Sequence, residues 1–153
     1  MTAEAELRSL IDEYAPEHLR LIGKMRRWLQ RRLPTAHEIV YEYRGFFVIS
    51  YSPSEYGYEG VLALRASESG VSLYFNRGKE LRDPLNLLKG TGNVRSIDLD
   101  AASTIDRPEI VRLIDEAITR NRVPFATTGR GSMIVRPTTA RKRRQKSNPK
   151  ERA

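Results

Sequence analysis

The sequence predicts an α+β domain: an antiparallel sheet of about five strands, with two N-terminal helices and one C-terminal helix packed on it. Three observations predict it. Apolar residues recur at spacings of three and four before Pro34 and again after Asp106, which is the helical period. Between these segments the period changes to two, in short runs joined by a few residues each, as neighbouring antiparallel strands are. The stretch Gly70 to Arg120 then reads as strand, loop, short helical turn, glycine-rich turn, strand and closing helix, with a local signal at nearly every junction.

Ala3 to Tyr14 places Leu7, Leu10 and Ile11 on one helical face. Pro16 breaks that pattern near Ala15 and is acceptable in the first turn of a second helix, Glu17 to Leu33. There Leu19, Ile22, Met25, Leu29 and Leu33 form the apolar stripe, flanked by Trp28. Arg20, Lys24, Arg27 and Arg31 form another stripe, readable as a phosphate-facing surface or, more usually, as the solvated back of an amphipathic helix.

After Pro34, Ile39, Tyr41 and Tyr43 alternate with Val40, Glu42 and Arg44; after Gly45, Phe47, Ile49 and Tyr51 alternate with Phe46, Val48 and Ser50. These are two strands with a tight turn at Arg44-Gly45. Ser52 to Gly60 reads as a loop whose Tyr56 and Tyr58 are expected across the sheet edge. Val61 to Ala66 and Val71 to Asn76 are the next strands, joined by Ser67-Glu68-Ser69-Gly70. Asp83 and Pro84 suit the start of a short helical turn through Leu88, and Gly90 its end. Val94 to Leu99 is the fifth strand, and Asp106 with Glu109 is a capping-box-like start for a helix carrying Ile110, Val111, Leu113, Ile114, Ala117 and Ile118. Met133-Ile134-Val135 is a candidate short edge strand beside Gly129-Arg130-Gly131.

The 153 residues, 39% apolar and 30% charged, suit one domain with one core. With no cysteine there is no disulfide, thiolate zinc site or cysteine nucleophile, and stability must come from packing. Met1 to Leu10 lacks the apolar run of a signal peptide and no stretch approaches a membrane span, so a cytoplasmic protein is expected. The net charge of +8 is uneven: seven of 27 basic residues and one of 19 acidic residues lie after Thr138, which leaves 20 against 18 in residues 1–138. The body is nearly neutral. The expected organisation is therefore a domain over 1–138, with its core at about 5–120 and an extension at 121–138, followed by a disordered basic tail over 139–153.

The run Leu81-x-Asp83-Pro84-x-x-Leu87-Leu88-x-Gly90-x-Gly92, followed by a strand and an isoleucine- and leucine-rich helix, resembles the YdhG-like family of domains of unknown function. The resemblance covers roughly Ala5 to Arg120. It implies a small α+β domain, and some relatives have been proposed as frataxin-like iron chaperones. Iron binding would call for clustered surface carboxylates. The first helix offers Glu4, Glu6, Asp12, Glu13 and Glu17, with Arg8 among them, while the second helix is basic.

No catalytic constellation emerges, and the chain is expected to be non-enzymatic and to need no cofactor. His18 and His37 lack a partner at metal-ligand spacing, no Gly-x-Ser-x-Gly occurs, and Asp106 of the trio Asp98, Asp100 and Asp106 is accounted for as a cap. Arg77, Lys79, Lys89 and Arg95 around Gly90-Thr91-Gly92 are a candidate small-anion site, set against a purely structural turn. Arg141, Lys142, Arg143, Arg144 and Lys146 are the candidate contact to nucleic acid or another polyanion, set against a tail that only solubilises; with no interleaved aromatic residue, base stacking is not expected from it. The expected function is thus weak, non-specific attachment of a small domain to nucleic acid, with an iron-chaperone-like or small-ligand-binding protein as the alternative.

Overall fold

The computed structural model describes residues 1–136. Among them are three α-helices, α1 (Ala3–Tyr14), α2 (Leu19–Arg32) and α3 (Pro108–Arg120). The strands are β1 (His37–Tyr43), β2 (Phe46–Ser52), β3 (Leu62–Ser67), β4 (Gly70–Phe75), β5 (Arg95–Asp98) and β6 (Met133–Arg136). They form one sheet in the order β5-β4-β3-β2-β1-β6, antiparallel except for the β1–β6 pair. The α+β class is as the sequence predicts, with six strands in place of about five. The extra one is the Met133–Arg136 edge, which runs parallel to β1 because the chain returns to it through α3 and a long connection.

Thr2 caps α1, its Oγ1 accepting from the Ala5 amide at 3.1 Å, a contact worth about 1 kcal/mol. Pro16 opens a 3-10 turn through His18, and α2 continues from it. The sheet face carrying Val40, Phe47, Ile49, Tyr51, Leu64, Leu73, Phe75 and Ile97 is buried together with Leu7, Ile11, Ile22, Met25, Leu29, Leu113 and Ile114 of the helices. Each such side chain removed from water contributes roughly 1.5–3 kcal/mol before chain entropy is counted. The opposite face carries Tyr41, Tyr43, Phe46, Val48, Arg65 and Tyr74, and none of the described α-helices packs across it. One end of it is covered by the loop after β2: the Gly57 amide donates to Tyr41 Oη at 3.2 Å, and Ile39 beneath is fully buried.

Two local expectations fail for physical reasons. Asp83 does not start a helical turn; its two carboxylate oxygens each accept an amide, from Leu87 and Leu88, at 2.8 Å. This bracket holds a turn in which Asn86 takes a positive φ of 53°, and Gly90 (φ 116°) follows it where Lys89 bridges Ser96. Asp106 does not cap α3, because the indole N–H of Trp28 donates to its Oδ1 at 2.5 Å. Arg107 is the N-cap residue, with no side-chain cap, and Pro108 opens the helix.

Candidate anion-binding surface

The two-residue turn at Arg44-Gly45 pairs Tyr43 with Phe46 and, counting outward, Glu38 with Tyr51. Both side chains point to the helix-covered face. There the Arg26 guanidinium donates to both oxygens of Glu38 at 3.0 Å, Gln30 donates to Oε1 at 2.9 Å, and the Tyr51 hydroxyl donates to Oε2 at 2.7 Å. A carboxylate has about four acceptor positions, and these four bonds fill them. Burial opposes the charge on Glu38, but the hydrogen bonds and charge of Arg26 outweigh it and hold the carboxyl below its ordinary value of 4.5. Burial likewise opposes the charge on Arg26, and its bonds to Glu38 and Glu4 outweigh it and raise its pKa. The fully buried Tyr51 phenol is pushed well above 10.0, first by burial and then by Glu38.

This network occupies one side of α2, and Trp28 and Arg32 anchor another: Arg32 pairs with Asp115 of α3 at 2.5 Å. The outward side is left to Arg20, Lys24, Arg27 and Arg31, spaced to share one helical face about 16 Å long. All four are exposed. Arg8, Arg26, Arg32, Arg77, Lys89, Arg107 and Arg120 all pair with carboxylates. The four outward cations of α2 have no carboxylate partner among the described residues.

The C-terminal end of this row forms one wall of a cleft of about 630 Å³, with Arg27, Gln30 and Arg31 on α2 and Arg130 and Ser132 opposite. The segment bearing Arg130 is pinned by backbone contacts. The Ser132 amide donates to Nδ1 of His37 at 3.0 Å, and the Glu38 amide donates to the Ser132 carbonyl at 3.0 Å. Gly131 lies so close to Ala36 that a Cβ there would overlap its carbonyl group and stand 2.8 Å from the His37 nitrogen. Gly129 turns the chain with φ 89°. Three arginines, Arg27, Arg31 and Arg130, thus line one opening together with the carboxylates of Glu4 and Glu38 and the phenol of Tyr51.

No family model, curated protein or solved structure matches this chain. What the surface can do is therefore argued from its own residues.

The candidate anion set around Gly90 is distributed over a closed loop. Arg77 pairs with Glu80 at 2.6 Å, Lys89 pairs with Asp98 at 2.5 Å, and the Arg95 Nε donates to the Gly92 carbonyl at 2.7 Å. The Lys89 bond to Asp98 raises the lysine pKa and lowers that of the aspartate. Lys79 is exposed, and its amide donates to the Asn93 carbonyl at 3.0 Å. Arg141, Lys142, Arg143, Arg144 and Lys146 lie outside the described residues. His18 Nε2 stands 3.3 Å from the Glu68 carbonyl, and the described residues hold no cluster of three His, Cys, Asp or Glu side chains able to hold a metal. None of the described helices is long and apolar enough to cross a membrane.

Sequence reasoning missed Arg26, Gln30, Glu38, Tyr51 and the part played by Arg130. A signal existed for two of them. Extending the hairpin register from Arg44-Gly45 places Glu38 opposite Tyr51 on the same face as Val40 and Ile49, so a carboxylate and a phenol meet among core residues.

Proposed function

We propose that the chain is a non-enzymatic cytoplasmic domain, of the YdhG-like kind its Leu81 to Gly92 motif resembles, that binds nucleic acid through phosphate contacts. The observation that carries this reading is the exposed, carboxylate-free row Arg20, Lys24, Arg27 and Arg31, ending at Arg130 in the cleft. The row is about 16 Å long, which matches about five phosphates of one strand. Contacts of this kind fix position without reading bases. The seven basic residues after Thr138 add a second, independent attachment. The non-enzymatic reading is supported by the saturation of Glu38: a carboxylate whose lone pairs are all engaged is not free to take a substrate proton.

The test uses the full chain and duplex DNA over a salt series. Glutamine at Arg20, Lys24, Arg27 and Arg31 together is expected to reduce the log-log salt slope by roughly 3 to 4, since each phosphate contact contributes about 0.9. Glutamine at Arg141, Lys142, Arg143, Arg144 and Lys146 is expected to reduce it by roughly 4 to 5 while leaving the α2 contribution in place. An unchanged slope in the α2 variant excludes the folded surface as a binding site and leaves the tail alone.

A further inference from the structure

On the sheet face without helices, Arg65 is held unlike any other arginine described. Its guanidinium carbon lies 4.0 Å from the centre of the Phe46 ring, which stacks on Tyr43 with centroids 4.9 Å apart. Its Nη1 donates to Tyr74 Oη at 3.1 Å. The guanidinium is thus held by Phe46 of β2 and Tyr74 of β4, with Tyr43 of β1 backing the Phe46 ring. Among the described residues no carboxylate pairs with it, although it is half-buried. A buried cation is ordinarily paired, so this one is set for an anion that comes from outside.

The sheet register places Arg65 opposite Ser72, and Ser72 opposite Asp98. Arg65 and Asp98 therefore stand two strand spacings apart, about 10 Å between their backbones. Between and beside them is a cleft of about 470 Å³ lined by Arg65, Ser67, Ser72, Tyr74, Asp98 and Asp100. Asp98 is already engaged by Lys89 at 2.5 Å and by the Ser72 hydroxyl at 3.1 Å. Arg65 and Asp100 remain on the cleft wall beside His18, with Lys89 near enough to Asp100 to feel its charge.

We infer that this cleft is a binding site for a small zwitterion of the amino-acid class, with its carboxylate on the Arg65 guanidinium and its ammonium toward Asp100. The guanidinium edge left open by Tyr74 is planar and two-pronged, which suits a carboxylate. A zwitterion places opposite charges on Arg65 and Asp100, whereas a phosphate monoester has no cationic group to offer Asp100. His18 and Leu21, at the start of α2, also line this cleft, but none of Arg20, Lys24, Arg27 and Arg31 does, and the site does not depend on the nucleic-acid reading.

The test is titration of the isotope-labelled full chain with L-alanine, acetate and inorganic phosphate, followed by the amide resonances of Ser67, Ser72 and Tyr74. Saturable shifts are expected with L-alanine, weaker binding with acetate, and the weakest with phosphate. Arg65→Lys keeps the charge and the packed stem but not the two-pronged edge, and is expected to weaken L-alanine binding about tenfold. Asp100→Asn is expected to weaken L-alanine several-fold and leave acetate unchanged. The proposal is overturned if phosphate binds more tightly than L-alanine, if L-alanine gives no saturable shift, or if Arg65→Lys binds as well as the native chain. An equal response to L-alanine in Asp100→Asn overturns the zwitterion.

Discussion

Replacing Glu38 with leucine is expected to lower the unfolding free energy by about 3–5 kcal/mol, the usual cost of removing one partner from a buried ion pair. The side chains of Arg26 and Glu38 are only 14% and 10% exposed, so the lost carboxylate leaves a guanidinium with little water to turn to. Glu4 remains, but its own side chain is 67% exposed and its bonds to Arg26 are made at the surface. The Tyr51 hydroxyl, with no exposure, loses its acceptor altogether. Urea unfolding of both proteins measures the difference; a loss under 1 kcal/mol would show that the network contributes little. The acid limb supplies a second reading. The folded-state pKa of Glu38 is depressed, so its contribution is fully present above its unfolded value, near 4.5, and is lost as pH falls through the lower folded value. The native protein is therefore expected to lose stability more steeply below pH 4.5 than the leucine variant, which no longer carries this group.

Changing Gly131 to alanine is expected to cost about 2–3 kcal/mol or to release β6 from the sheet. The added methyl would overlap the Ala36 carbonyl, and backbone on both sides of the contact prevents the relief that a side-chain rotation gives elsewhere. Gly45, with φ 87° and open space around it, is a contrast: alanine there meets no neighbour, only an unfavourable backbone angle costing about 1 kcal/mol. Hydrogen exchange distinguishes local from global loss. Amides shared by β1 and β6 should lose protection in the Gly131 variant while those between β2 and β3 keep theirs; retention of the β1–β6 protection together with native stability would refute the account.

The strand pattern was legible because period-two alternation with short connections leaves few alternatives, and the order of β1 to β4 follows from it; the place of β5, reached through a long connection, does not. The identity of each face was not. Ile39, Tyr41 and Tyr43 look as apolar as Val40 and its neighbours, yet it is Val40 and Glu42 that enter the helix-covered core. Asp83 and Asp106 carried genuine helix-start signals, but a carboxylate serves any nearby N–H donor, and the donors that reached them were the Leu87 and Leu88 amides and the Trp28 indole. The α2 row was visible as four cations at helical spacing. Whether they were free depended on where the acids fell, which is a property of tertiary packing, as the pairing of Arg32 with Asp115 and of Lys89 with Asp98 illustrates.

The contact between β6 and β1 joins residues 95 apart in the chain, as in the bond from Ser132 to His37. Closing so long a loop is among the slower events available to a small domain, and during synthesis the C-terminal partner is the last to emerge. Arg27 and Arg31 can be in position on α2 well before Arg130 arrives opposite them. The three-arginine cleft consequently exists only once the segment around Gly131 has been made, and a nascent or truncated product lacking that segment presents only the helix row.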